Sequence, residues 1–565
     1  MTLDMADIPD DILRQIFSFL PQETLVQCRF LSRAVEPLAR ALAFRSIRLE
    51  RACDVDPFLN VARSERLRPF VREFTLDLSQ GKLPTSDAAE YGARLKQHQR
   101  TLIALPLIRH FSGLRTLNLR YSRSTKGHDG YSGRWRVDDD GAVTDRRLLP
   151  LLFTTIYTET VLRCISGSWT KEAQDLWERR WRKWSEPRAE ALVNLSLSTS
   201  LQSEPELFDT VQSFPEKAIN LTTLTISNLS EKDSEYLMSS AAMKRFLGTQ
   251  SLSKLQLLTN SVKYDGDSMV PFTIHNRYEF FENLPSTWLS PPIADRLRTL
   301  SLFANDYWGW SPKMDFRVLS QVKNGTGGLS NLRTLALGTF VFSHQWQVDW
   351  VAQLGSDNGR GGLEELYLDN CPIMWRARVF GPVDGEGFPH KEAIAAEDGS
   401  PPAIGGDPIT VDVDLRWSTI LQQWSQKMPS LKVFKMGNGD WLGELSADVA
   451  MAQTASRTRV VDGAYMLAKH RNEDTVHLNY DKVSIDELHK HGQDVIRDGV
   501  GMSQRRECVL QYVHYQAALG SSPWVEQDFK DALVNDFEDG YQRYEEARRK
   551  DEDALYALRA SVETR

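Results

Sequence analysis

Only a few places in the chain set chemically capable side chains at a spacing that lets them act together. His489, His491 and Asp494 could share a cation, but a step of two residues does not put ligands on one helical face, so no metal is expected. Trp177, Trp181 and Trp184 form a helical stripe with Arg179, Arg180, Arg182 and Lys183 between them, a pattern that could touch phosphates. The chain as a whole opposes that use: its formal charge is -8 and its pI about 5.9, so nucleic acid is not an expected partner and the stripe reads as a packed amphipathic helix. Gly325-Thr326-Gly327-Gly328 and Gly359-Arg360-Gly361-Gly362 lack the Lys-Ser/Thr pair of a phosphate cradle and read as turns. Cys28, Cys53, Cys164, Cys371 and Cys508 make no CxxC pair, which argues against a zinc module or a disulfide framework and fits a reducing compartment. Neither GxSxG, HExxH nor a kinase signature occurs. No enzyme and no cofactor are expected. A hydrolase assembled in three dimensions from scattered Cys and His stands as the competing class.

Such a chain should work by its surfaces, and the question becomes which elements build them. With 565 residues, 41% hydrophobic and 25% charged, it has the composition of a folded, core-forming protein. Its start, Met1 to Asp7, is acidic and carries no secretory signal; no run approaches the ~18 apolar residues of a membrane span. No membrane partner is expected, and the chain should reside in cytoplasm or nucleus.

Ile8 to Leu49 is the most informative stretch. Pro9 suits a helix start, Asp10 and Asp11 favour the positive end of its dipole, and Pro21 stops it. Ile12, Leu13, Ile16, Phe17 and Leu20 recur at helical spacing; a second helix carries Leu25 and Cys28, a third Val35, Leu38, Ala39 and Leu42. Three short helices cannot bury all of these among themselves, and each large apolar group left in water forgoes about 1.5–3 kcal/mol. They require a covering surface, either the rest of the chain or another protein.

This run resembles the F-box family. Ile8-Pro9-Asp10-Asp11-Ile12-Leu13, Ile16-Phe17-Ser18-Phe19-Leu20-Pro21, Leu25, Cys28-Arg29 and Leu31-Ser32-Arg33 follow the family pattern in order, while Val35 and Leu38 stand where the family usually has Trp. The resemblance implies that Pro9, Ile12, Leu13, Ile16, Phe17, Leu20, Leu25 and Leu31 bind the Skp-type adaptor of a cullin-based (SCF) ubiquitin ligase.

Downstream, one phrase recurs: apolar, two residues, apolar, one residue, apolar. It stands at Leu114-Leu117-Leu119, Leu192-Leu195-Leu197, Leu221-Leu224-Ile226, Leu252-Leu255-Leu257, Leu297-Leu300-Leu302, Leu332-Leu335-Leu337 and Leu363-Leu366-Leu368. Weaker copies occur at Phe44-Ile47-Leu49, Val71-Phe74-Leu76 and Leu431-Phe434-Met436. The final step of two puts the last pair on one face of a short strand, so stacked copies predict a parallel sheet of the leucine-rich-repeat kind. Much of Leu297 to Trp441 resembles fungal F-box proteins with leucine-rich bodies, which implies architecture and no activity.

The expected fold is therefore α/β: a three-helix F-box over 1–50, a degenerate leucine-rich-repeat solenoid over 51–440 with insertions near 122–190 and 377–414, and a helical, charged, α-rich capping region over 441–565. Gly381 to Asp407, rich in Gly and Pro breakers, reads as an exposed loop. The expected function is target recognition for an SCF-type ligase, with an unidentified target protein held on outward-facing strand residues. Asn118, Arg120, Phe303, Tyr367, Asp369 and Lys435 are the candidates, with Thr225, Ser227 and Ser301 beside them. The alternative is a leucine-rich interaction scaffold with no ligase role.

Overall fold

The computed structural model describes residues 8–20, 22–50, 55–77, 100–101, 104–121, 149–167, 218–231, 238, 241–249, 251–260, 272–320, 328–369, 371–379, 382–390, 409–437, 510, 512–516, 524–525, 533–535 and 538–565. The Trp177–Trp184 stripe, the His489–Asp494 group, the phrase at Leu192 and most of the 122–190 insertion lie outside them. The chain divides into two compact units: Met1–Tyr121 with Arg134–Leu224 and Ser239–Gln250, and Ser122–Gly133 with Thr225–Met238 and Ser251–Arg565.

The first unit opens with helices α1 (Asp10–Ser18), α2 (Gln22–Cys28) and α3 (Glu36–Ala43). They close on a shared core of Leu13, Phe17, Leu25, Cys28, Val35, Leu38, Ala39 and Ala43. Only Phe44 and Arg45 separate α3 from strand β1 (Ser46–Glu50). Helix α4 (Asp56–Arg63), β2 (Glu73–Asp77), β3 (Thr116–Arg120) and α5 (Leu149–Ile165) follow. β1, β2 and β3 pair in parallel, and their register is the recurring phrase itself: Ile47, Phe74 and Leu117 align, as do Leu49, Leu76 and Leu119. Phe74, Leu76, Leu117 and Leu119 are completely buried. β4 (Thr223–Ser230) and α6 (Ala241–Thr249) complete the chain before the second unit's ladder.

That ladder contains β5 (Lys254–Asn260), β6 (Thr299–Trp308), β7 (Thr334–Phe340), β8 (Glu365–Asp369) and β11 (Val433–Gly437), with helices α7 (Phe272–Asn283) and α8 (Gln345–Gln353) between strands. Parallel pairing aligns Leu255, Leu300, Leu335, Leu366 and Phe434, and then Leu257, Leu302, Leu337, Leu368 and Met436. In both units, the two N–H groups leading into a strand donate to one carbonyl at the preceding strand's start: Arg72 and Glu73 to Arg45, Arg333 and Thr334 to Arg298, Glu364 and Glu365 to Arg333. One local sequence pattern thus repeats one backbone turn, which satisfies the buried amides of each strand start.

The second unit also holds a sheet that the phrase does not announce. β9 (Ile373–Val379) pairs antiparallel with β10 (Ile409–Asp412) and parallel with β12 (Tyr512–Gln516), which pairs antiparallel with β13 (Trp524–Val525). The core beneath it contains Tyr307, Trp310, Val341, Met374, Ala377, Val379, Phe388, Val513 and Tyr515. The described part of 377–414 holds the end of β9 and strand β10, and that of 441–565 supplies β12 and β13 as well as helix. The cause is long-range: Met374, Ala377 and Val379 bury against Val513 and Tyr515, a pairing that no local periodicity encodes.

The expected charged helix does form, as α10 (Gly540–Glu563), and it packs on α9 (Trp417–Lys427). One buried carboxylate ties them: Asp551 accepts from the Ser418 N–H at 2.8 Å and from the Tyr512 hydroxyl at 2.7 Å. Fourteen residues on, Arg565 donates to the Ser425 carbonyl at 3.0 Å and to that of Met428 at 2.5 Å. A carboxylate thus meets the positive end of the α9 dipole and a guanidinium the negative end.

Residues 382–390 of the expected loop form a tight hairpin, with Asp384 N–H donating to Phe388 O at 2.8 Å and Gly387 at φ 86° in its turn. Lys313 holds Asp384 at 2.8 Å, Arg317 holds both Asp315 and Glu386, and the His344 ring stacks on Phe388 at 4.3 Å. Burial pushes the Asp384 carboxyl up, but the Lys313 ammonium and the N–H groups of Phe388 and Glu386 outweigh it and hold it below its ordinary 3.8. Asp315 is likewise held low, burial being outweighed by Arg317. Burial also holds His344 below 6.5, against the pull of the Glu386 carbonyl that its Nε2–H reaches at 2.8 Å. All three groups bind fewer protons folded than unfolded, so their stabilisation is complete above their unfolded values and is lost as pH falls through the folded ones. Amide exchange within 382–390, corrected for its intrinsic pH dependence, should rise as pH falls below about 6.5 and His344 charges, and rise again below the carboxylate range. His344→Phe should erase the first step alone; a flat wild-type profile above the carboxylate range would refute the histidine's part.

Candidate functional site

α1 carries two apolar stripes side by side. Leu13, Phe17 and Leu20 follow i, i+4, i+7 on one, and Ile12, Ile16 and Phe19 follow the same spacing on the next. The structure turns the first stripe inward: Leu13 is 4% and Phe17 2% exposed, and Leu20 packs half-buried at the core's edge. The second faces solvent, with Ile12 at 44%, Ile16 at 46% and Phe19 at 79%. Pro9 is exposed just ahead of them, and the turn after α2 adds Phe30 at 78% and Leu31 at 58%. Five of the nine large hydrophobics exposed among the described residues fall between Ile12 and Leu31. Such concentration marks a contact surface; scattered single residues would not.

The face is stiffly mounted. Gln22 Nε2 donates to the carbonyls of Ala43 at 2.8 Å and Ser46 at 3.3 Å, tying α2 to the end of α3 and the start of β1. Glu36 receives Arg40 at 2.6 Å and lies 3.7 Å from Arg29, whose guanidinium sits 5.1 Å from the Phe44 ring centre. Ser32 Oγ accepts the Val35 N–H at 3.2 Å and starts the turn into α3. Val35 and Leu38 fill the interior at the place the family usually gives to Trp.

Residues 5–42 match the F-box domain family. The chain carries an F-box domain at its N-terminal end. F-box domains generally bind Skp-type adaptors in cullin ligases, and this domain suggests an SCF adaptor role in general terms. Among curated proteins the chain has no match.

Of the residues assigned to adaptor binding, Pro9, Ile12, Ile16 and Leu31 lie on the open face, Leu20 is intermediate, and Leu13, Phe17 and Leu25 are interior. Phe19 and Phe30 were not singled out by periodicity, although the step from Ile12 through Ile16 to Phe19 carried the signal for one of them. Phe30 lies in a turn, where periodicity has nothing to say.

The outward row proposed for a target is not open. Asn118 is fully buried, donating to Glu73 at 2.9 Å and Thr75 at 3.1 Å. Arg120 is 5% exposed and shares Asp77 with Arg48, each at 2.8 Å. Thr225 donates to Gln256 at 2.9 Å, and Ser227 and Ser301 are buried. Phe303 is buried with its ring over Gly338, where a Cβ would come within 2.0 Å of Cδ2. Tyr367 is buried beside Ala336 and Val433 with its hydroxyl on Glu365 at 3.2 Å; Lys435 is half-buried, and the Asp369 side chain lies outside the described residues. The reason is register: parallel neighbours stand side by side about 4.8 Å apart, so polar residues at equivalent positions bond to one another. Alternation predicts that a residue leaves the leucine face; it does not predict exposure.

The Gly359–Gly362 stretch is a turn as expected. Gly359, Gly361 and Gly362 have φ of 71°, 84° and 130°, and Asn358 Nδ2 bridges the carbonyls of Leu332 at 2.8 Å and Gly362 at 2.6 Å ahead of β8. Among the described residues no group of His, Cys, Asp and Glu is arranged to hold a metal, and no helix is long and apolar enough to cross a membrane.

Proposed function

We propose that the chain is the target-recognition subunit of an SCF-type ubiquitin ligase, docking a Skp-type adaptor through Pro9, Ile12, Ile16, Phe19, Phe30 and Leu31 and presenting a bound protein to the transfer machinery. The single observation that carries this reading is the exposed apolar face on a domain whose own core is already complete. A helix that had merely lost its place in the body would show an incomplete interior. Here the interior is filled by one stripe of α1 and the other is left over for a partner. Acceleration of ubiquitin transfer then comes from proximity and orientation, with no catalytic residue in this chain. The short, hydrogen-bonded passage from α3 to β1 supports that geometry, since it ties the adaptor-binding helices to the strand that follows them. Action in cytoplasm or nucleus accords with five scattered cysteines that make no CxxC pair.

Co-expression with a Skp-type adaptor and cullin tests the proposal. The full chain should elute with both as one complex, and capture of that complex should transfer ubiquitin to a co-purifying protein. If the chain elutes alone at micromolar concentrations of adaptor, the ligase role fails.

A further inference from the structure

The buried polar ladder leaves open where an extended partner could bind, and one strand stands apart. Of the strands whose side chains are described, β10 has no buried residue: Ile409, Thr410 and Asp412 are exposed and Val411 is intermediate. Among the described residues it lies at the edge of its sheet, in the order β10-β9-β12-β13. Its outward backbone groups can be assigned. Val413 N–H donates to Trp375 O at 3.0 Å, and the unbroken register pairs Asp412 with Arg376, Val411 with Ala377, Thr410 with Arg378 and Ile409 with Val379. Hydrogen-bonded pairs alternate in antiparallel strands, so Val411 and Ile409 bond inward to β9 while Thr410 and Asp412 aim N–H and C=O outward. Edges of this kind accept an added strand.

Side chains say which strand. Thr410 and Asp412 share a sheet face with Arg378 and Arg376, because directly paired residues point the same way. Arg376 is engaged by Asp412 at 2.6 Å, whereas Arg378 is exposed beside the small Thr410 and can lean across it. The other face carries Ile409, 42% exposed, and Val411, which packs on the apolar core. We propose that β10 is a docking edge for an extended acidic segment of a partner protein, alternating carboxylate and aliphatic residues. Its carboxylates lie beside Arg378 and its aliphatic side chains beside Ile409 and Val411. That the partner is the ligase's target rests on the adaptor reading above; binding of the segment does not.

The test uses the full chain and a short fluorescein-labelled peptide of alternating valine and glutamate, with its valine–lysine counterpart as control, read by anisotropy. The acidic peptide should bind saturably and the basic one should not. Arg378→Glu should weaken binding by about tenfold or more, the loss expected for a charge-assisted contact. Thr410→Pro removes an outward N–H and should abolish binding, with preserved amide protection at Val411 showing that β9 and β10 stay paired. Ile12→Asp should leave peptide binding unchanged, so failure of the ligase role and failure of this site are read separately. Equal binding of both peptides, or full binding by Thr410→Pro, overturns the proposal. So does slow exchange of the Thr410 and Asp412 amides in the free chain, since the edge would then be filled by its own preceding segment or by a second copy.

Discussion

A chain carrying Ile12→Asp with Ile16→Asp should lose Skp-type adaptor binding by roughly a thousandfold, about 4 kcal/mol, while unfolding at the parent's temperature. Both residues are nearly half exposed and one turn apart on α1, so aspartate at either place meets water in the free protein. In a closed interface each would forfeit the burial of an aliphatic side chain, about 1.5–3 kcal/mol, and would bring a carboxylate with no partner into an apolar contact. Isothermal titration against purified adaptor gives the affinity and a thermal melt gives the fold. Phe17→Asp makes the contrast: at 2% exposure it belongs to the head's own core, so its loss of binding should accompany loss of helix. Retention of wild-type affinity by the double variant would move the adaptor off this face and take the ligase proposal with it.

Asp77→Ala should destabilise the first unit by about 3–5 kcal/mol, the cost of removing one partner from a buried ionic cluster. The Asp77 side chain is fully buried and receives Arg48 and Arg120 at 2.8 Å each, from strands on either side of its own. Without it, two guanidinium groups lose a buried carboxylate acceptor that they share. Denaturant unfolding followed by far-ultraviolet circular dichroism measures the change. A loss below about 1 kcal/mol would mean that packing of the leucine face alone holds β1, β2 and β3 together. Replacing the cluster by apolar residues of similar size, Asp77→Leu with Arg48→Met and Arg120→Met, should recover much of the loss, because a buried ion pair gains little over well-packed hydrophobics. This separates a structural role for Arg120 from the target-binding role its alternation had suggested.

Much of the fold could be read because it rests on short-range rules. The breaks at Pro9 and Pro21 bound α1, and the apolar phrase ends on two residues of one strand face. In parallel sheets that phrase also sets the register, so Leu255, Leu300, Leu335 and Leu366 met in line as their spacing required. The second sheet was not readable, since Ile373 and Tyr512 meet only through burial of side chains from distant parts of the chain. The same limit explains the hairpin at 382–390, whose Gly and Pro signal a turn but whose order comes from Lys313, Arg317 and His344.

The amino-acid sequence by itself determined the helices of the head, the strands of the ladder and the identity of the F-box, because each depends on neighbours within a few turns or one strand. Only the tertiary structure decided which stripe of α1 is core and which is surface, and that the polar row of the ladder is closed while β10 is open. Periodicity assigns residues to a face; which face meets water depends on what the rest of the chain lays against it.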